Sequence, residues 1–182
     1  AVATTVSATV FVSEDPNSTA ATVSWALGAF SNTSGFPVAV SFYQQRLVYG
    51  GTRSNPMTLW ASLVGSFEEF DPTQLDDTTV DDSSVQLTIA SRRMSATRNL
   101  TGGHQLSIGT RGGMYALDGG SSGGGITPAK NRVRLISEYD CDDVLPATVG
   151  DVLCYVQQGG RVVRGLAPGG TADVYAQPDL TL

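Results

Sequence analysis

The chain has 182 residues, 41% hydrophobic and 15% charged, with 21 glycines, 8 prolines and a formal net charge of −6. That is enough apolar material for one domain or part of a larger one, and too little charge for long exposed helices, so the composition favours an all-β protein rich in turns. No run of Lys or Arg makes a stripe for phosphates, which argues against tight nucleic-acid binding; the acidity suits either plain solubility or a surface past which nucleic acid slides without being gripped.

Residues 4–12, dominated by Thr and Val, read as a strand closed by the turn formers Ser13-Glu14-Asp15-Pro16-Asn17-Ser18. A second strand over 21–30 carries Trp25, and both N-terminal strands are expected to join the same domain as the rest of residues 1–182. Pro37 suits the start of a strand, having a fixed φ and no N–H to donate. The next strand pair runs through Ser41-Phe42-Tyr43-Gln44-Gln45-Arg46-Leu47-Val48-Tyr49-Gly50-Gly51-Thr52 and on to Leu59-Trp60-Ala61. Residues 65–72, with Phe67 and Phe70 three apart and acids between them, fit one helical turn or a tight strand edge. Residues 73–84, holding Asp76, Asp77, Asp81 and Asp82, read as an exposed loop. Val85-Gln86-Leu87-Thr88-Ile89-Ala90 alternates cleanly as a strand. Residues 91–99 either continue it or form a short helix. The glycine-rich run 118–125 is a loop by composition, 132–139 is a strand, and 144–149 leads into the last hairpin.

The segments around Leu47, Leu106 and Leu153 align as copies of one unit: a short apolar strand, a turn rich in Gly, Asn or Gln, and a second strand. The three anchors lie 59 and 47 residues apart, close to the roughly 40–50 residues of a four-stranded propeller blade. The expectation is therefore a partial β-propeller of antiparallel sheets, with three propeller-like hairpin units over about 36–166. Its expected core is Leu47, Tyr49, Leu59, Trp60, Leu87, Ile89, Leu106, Ile108, Leu153 and Tyr155. Three units fall short of the four or more blades of a closed propeller. The start without Met and the strand-like end Leu180-Thr181-Leu182 add to the expectation of a segment of a longer polypeptide, with open sheet edges that favour association.

Chemistry-bearing residues are sparse. His104, the single histidine, sits beside Gly102-Gly103 and reads as a solvent-facing turn residue, because no serine stands in a nucleophile-elbow sequence and neither cysteine has a catalytic setting. Cys141, between Asp140 and Asp142-Asp143, is expected in a loop where like charge raises its thiol pKa, and Cys154 as a small buried apolar residue; both are expected free. The aspartate pairs lack EF-hand spacing, the glycine run lacks a following Lys-Ser/Thr, and one histidine with two distant cysteines makes a poor zinc set. Hence no catalytic, cofactor-binding or metal residues are assigned. No stretch approaches the roughly 20 apolar residues of a membrane-spanning helix.

Gly35-Phe36-Pro37, the motif from Val40 to Thr52, Asn55-Pro56, Leu59-Trp60-Ala61-Ser62, Gly65 and Phe67 together resemble the tail nozzle proteins of short-tailed bacteriophages, the tail tubular protein B group. Asp81-Asp82 before Val85 to Ser91, then Leu106 to Thr110, Gly113 and Ile126-Thr127-Pro128, extend the resemblance over about 20–166. It implies a structural virion protein, not an enzyme and without cofactor, built around β-propellers and assembled in the host cytoplasm. It further implies a homo-hexameric ring that meets the tail adaptor and other tail proteins and passes duplex DNA without sequence-specific binding. Members of that family are several times longer than this chain. The alternative from the residues is a carbohydrate-binding or glycan-hydrolysing β-domain that recognises a host surface, for which Trp25 or Trp60 in an acidic cleft would be the sign.

Overall fold

The structure, a computed structural model, describes residues 29–71, 78–91, 95–120, 125–168 and 175–181. The expected strand over 4–12 lies outside the described residues, as do residues 21–28 of the expected strand over 21–30, Trp25 among them, and Asp76 and Asp77; Ala29 and Phe30, the described end of that second strand, form a bend instead. Among the described residues the fold is all-β, with no helix. The first sheet is β1 (Ala39–Tyr43), β2 (Arg46–Gly50), β3 (Thr58–Ala61) and β4 (Val85–Thr88); the second is β5 (Thr97–Gly102), β6 (Leu106–Thr110), β7 (Gly113–Asp118) and β8 (Arg132–Ser137). The third is β9 (Ala147–Val149), β10 (Val152–Val156), β11 (Val163–Pro168) and β12 (Tyr175–Ala176). Every sheet is an antiparallel meander whose strands follow one another in chain order.

The aligned units are the central strands of these sheets, each completed by a strand before and a strand after. Residues 65–71 are neither a helical turn nor a strand edge but turns and coil, and residues 95–99 enter β5 rather than a helix. In the tight turn joining β1 to β2, Gln44 and Gln45 take φ of 48° and 59°, the left-handed pair that a two-residue hairpin demands and that Asn-Gly usually supplies. What Gln adds is reach. Gln44 Oε1 accepts the Ile126 N–H at 2.7 Å and its Nε2 donates to Tyr43 Oη at 3.2 Å, tying the first hairpin to the loop before β8.

Because side chains alternate across a strand, the register assigns each residue to a face. On the first sheet one face carries Ala39, Gly50, Leu59 and Leu87 in one row and Ser41, Val48, Ala61 and Val85 in the next. This face packs on Leu100, Leu106, Ile108, Tyr115 and Leu117 of the second sheet in one hydrophobic cluster. The opposite face of the second sheet, with Met114 and Ala116, packs with Ile136 and Cys141 on Leu153, Tyr155 and Leu166 of the third. The sheets are thus stacked face to face in chain order, and the middle one is covered on both sides: β6 and the first five residues of β7 are buried throughout. At the start of the first and second sheets the strands approach so closely that Gly102 N donates to Ser41 Oγ at 3.1 Å and a Cβ on Gly102 would stand 2.2 Å from Phe42 O.

The expected core is corrected at β2 and β4. Leu59, Trp60, Ile89, Leu106, Ile108, Leu153 and Tyr155 are buried, but Leu47, Tyr49 and Leu87 are half-buried. Leu47 and Tyr49 point to the face of the first sheet turned away from the second; the buried residues of β2 are instead Arg46, Val48 and Gly50.

Candidate functional site

Two kinds of site emerge from this stack: polar locks between sheets, and surfaces at its two ends. Arg46 is the lock between the first and second sheets. It is 1% exposed and donates from Nη1 to Ser62 O and Ser83 O, both at 2.7 Å, and from Nη2 to Asp81 O at 3.0 Å and Ile126 O at 3.3 Å. Burial pulls its pKa down, an effect opposed by the nearby Asp82 carboxylate. A guanidinium presents a fixed fork of donors, and carbonyl dipoles converging on it replace the water that burial removes. Since those carbonyls come from the ends of β3, the approach to β4 and the loop before β8, one side chain fixes three connections at once.

Asn99 plays the matching part between the second and third sheets. Its Nδ2 donates to Asp142 O at 3.1 Å and Val144 O at 3.3 Å and lies 3.1 Å from Cys141 Sγ. Gly109 is required beside it, because a Cβ there would stand 2.3 Å from Asn99 Oδ1. Ser137 Oγ meets Tyr155 Oη at 3.2 Å across the same junction. Sequence alone carries little sign of either lock: Arg46 stands among exposed-looking Gln residues, and its partners are backbone atoms distant along the chain.

The residues weighed for chemistry are scattered. His104 is exposed in the turn between β5 and β6, as expected. Cys141 and Cys154 are both free. Cys141 lies in a loop and has a raised pKa, as expected, but the loop is packed inward: the residue is 1% exposed, and burial raises its pKa first, with Asp142, Asp140 and Asp143 adding to the effect and the Asn99 hydrogen bond opposing it. Cys154 is half-buried on the outer face of the third sheet rather than in the core. Asp143 pairs with Arg98 at 2.6 Å. Among the described residues no group of three His, Cys, Asp or Glu is placed to hold a metal ion.

A cleft of about 730 Å³ opens between the outer rims of the first and second sheets, lined by Thr88, Ser91, Tyr115, Asn131, Leu135 and Glu138 among others. Ser91 Oγ and Tyr115 Oη are bonded to each other at 2.7 Å. Among the described lining residues Glu138 is the one carboxylate and there is no tryptophan. Trp60 is instead 5% exposed, packed edge-on against Phe30 at 5.1 Å between ring centroids.

The end surface of the first sheet is mostly apolar toward β1 and β2 and polar toward β4, where Thr58, Gln86 and Thr88 lie. Its strands place Val40, Tyr49, Trp60 and Gln86 in one row and Phe42 and Leu47 in the next, with no charged side chain. Phe30 and Phe70 pack on Tyr49, and Phe67 packs on Phe42 with ring centroids 5.2 Å apart. Phe36, Val38, Val40 and Phe42 remain 61%, 62%, 57% and 62% exposed. A groove of about 400 Å³ runs between Phe30, Phe36, Val38, Val40 and Tyr49. No protein-family model matches the chain, and comparison with curated proteins finds no match.

Proposed function

We propose that this chain is a structural, non-enzymatic segment of a phage tail nozzle, three blades of a β-propeller within a virion component that assembles as a hexameric ring below the tail adaptor and conducts the genome. The observation that carries this reading is the succession of three four-stranded meanders stacked face to face in chain order, which is how propeller blades follow one another. The motif resemblance from Gly35 to Pro128 agrees with it. An assembly role also fits where the residues have been spent: Arg46 and Asn99, the most elaborately bonded polar groups of the interior, bind backbone and hold sheets together. The net charge of −6 suits a wall that does not retain DNA.

Glycan hydrolysis has less support. It calls for two carboxylates about 5–10 Å apart across a sugar ring, whereas the described lining of the cleft offers Glu138 alone, and Trp60 is buried. Electron microscopy of the complete parent polypeptide tests the proposal: a six-fold ring with an axial channel wide enough for duplex DNA is the expected result. A monomer with a closed fold that binds oligosaccharides in the cleft would overturn it.

A further inference from the structure

The two loops that leave and enter β8 are held in different ways. The loop from β8 to β9 is tied along its length: Cys141 N donates to Thr110 O and Asp142 N to Val156 O, both at 2.9 Å, Asn99 Nδ2 donates to Asp142 O and Val144 O, and Arg98 pairs with Asp143. The loop from β7 to β8 reaches the first sheet, among the described residues, by the hydrogen bonds of Ile126 alone. The Ile126 side chain is 2% exposed, in the hydrophobic cluster shared by the first and second sheets. Its N–H donates to Gln44 Oε1 at 2.7 Å, and its carbonyl accepts from Arg46 Nη2 at 3.3 Å.

Each half of this contact is held in place without the other. Gln44 Nε2 donates to Tyr43 Oη at 3.2 Å, and the phenol donates in turn to His104 O at 3.4 Å, so the amide keeps its oxygen aimed at the loop. Arg46 keeps Ser62 O, Ser83 O and Asp81 O, the shorter of its bonds, when Ile126 O is removed. On the loop, Thr127 N donates to Lys130 O and Lys130 N to Thr127 Oγ1, both at 3.0 Å, while Asn131 Nδ2 donates to Thr127 O and Pro128 O. This turn closes on itself, with Lys130 and Asn131 exposed. Withdrawal of Ile126 empties one apolar position and breaks two hydrogen bonds, which water replaces, yet it parts no pair of strands. A segment with so few ties outside itself opens separately from the core.

We infer that Ile126 is a clip: residues 125–131 detach from the junction of the first two sheets and return to it as a unit, while both sheets stay folded. The detached form bares an apolar position beside the Arg46 guanidinium; the attached form seals it. The junction of the first and second sheets is therefore the adjustable one, and the junction of the second and third, with its loop tied through Cys141, Asp142 and Val144, is the fixed one.

Hydrogen exchange followed by NMR on the full chain tests this. The Ile126 amide is expected to be protected, yet to exchange about a hundredfold faster than the amides of Leu106 and Ile108, at a rate that low urea leaves unchanged because a local opening exposes little surface. The amides of Cys141 and Asp142 are expected to follow the core. Two substitutions in the same hydrophobic cluster then separate a clip from an ordinary core residue. Ile126→Lys, whose charge cannot be held beside Arg46, is expected to leave the chain folded, with Leu106 and Ile108 still protected and the amide of residue 126 unprotected. Ile108→Lys is expected to abolish the cooperative urea transition. An Ile126 amide that is unprotected in the unmodified chain, or that exchanges with the rate and urea dependence of Leu106, overturns the inference. So do two lysine variants that behave alike. None of these readings depends on how the parent polypeptide assembles.

Discussion

The first and second sheets make an instructive pair, being built from aligned sequence yet finished differently. Leu106 and Leu47 hold the same place in their units, second-strand residues pointing to the face turned away from the next sheet, but Leu106 is 0% exposed while Leu47 is half-buried. The middle sheet has a neighbour on each side; the first has one described neighbour and an aromatic face to spare. Burial here is a property of the stack rather than of the strand, since alternation assigns a side chain to a face and only another layer removes that face from water.

The largest effect on that comparison should come from Arg46→Met, which abolishes the lock between the two sheets while keeping a long apolar side chain. It leaves the carbonyls of Ser62, Ser83, Asp81 and Ile126 without this donor, and the expected loss is about 4 kcal/mol, read as a lower urea midpoint. Arg46→Lys should recover only part of it, because an ammonium cannot span the fork. If Arg46→Met leaves the midpoint unchanged, the lock is not what joins these sheets.

Truncation at the aligned leucines sharpens the contrast. Leu106→Ala, in a fully enclosed position, is expected to cost about 3 kcal/mol and Leu47→Ala about 1 kcal/mol. Equal losses measured by urea unfolding at low protein concentration would mean that the back face of the first sheet is already covered within one molecule. A growing cost of Leu47→Ala as concentration rises would instead place a second copy there.

Smallest in energy is the response to alkali, which separates the two thiols. Burial raises the pKa of Cys141, and burial likewise raises Tyr155 and, with help from Asp118, Tyr43. Each group holds its proton more firmly folded than unfolded. Their contribution is therefore fully present below the unfolded values, about 8.5 for a thiol and about 10 for a phenol, and is lost as pH rises through the folded values. Stability should fall with pH from about 8.5 upward, and Cys141→Ala should flatten the early part of that fall. A maleimide probe at neutral pH should label Cys154 well before Cys141; the reverse order would contradict their placement.

Much of the secondary structure was legible because its signals are local. The clean alternation from Val85 to Thr88 and the apolar runs at Leu106 and Val152 mark strands with period 2, and the intervening Gly, Asn and Gln mark turns. The exposed turn position of His104 was legible for the same reason. The aromatic pair Phe67 and Phe70 was not: two rings three apart suggest a helical turn, and only the partners Phe42 and Tyr49, more than twenty residues earlier, explain why a coil carries them. Arg46 was missed because its acceptors are main-chain oxygens, which no side-chain pattern reveals.

By itself the sequence determined the all-β class and the three aligned strand-turn-strand units around Leu47, Leu106 and Leu153, because propensity, alternation and turn chemistry act between near neighbours along the chain. Tertiary structure alone decided which of those three leucines is sealed from water, that Cys141 is buried while Cys154 lies on an outer face, and that an arginine is held at the centre of a junction. Those outcomes depend on sheets meeting across long stretches of chain, where desolvation and converging carbonyl dipoles are set by the packing of layers and not by the identity of adjacent residues.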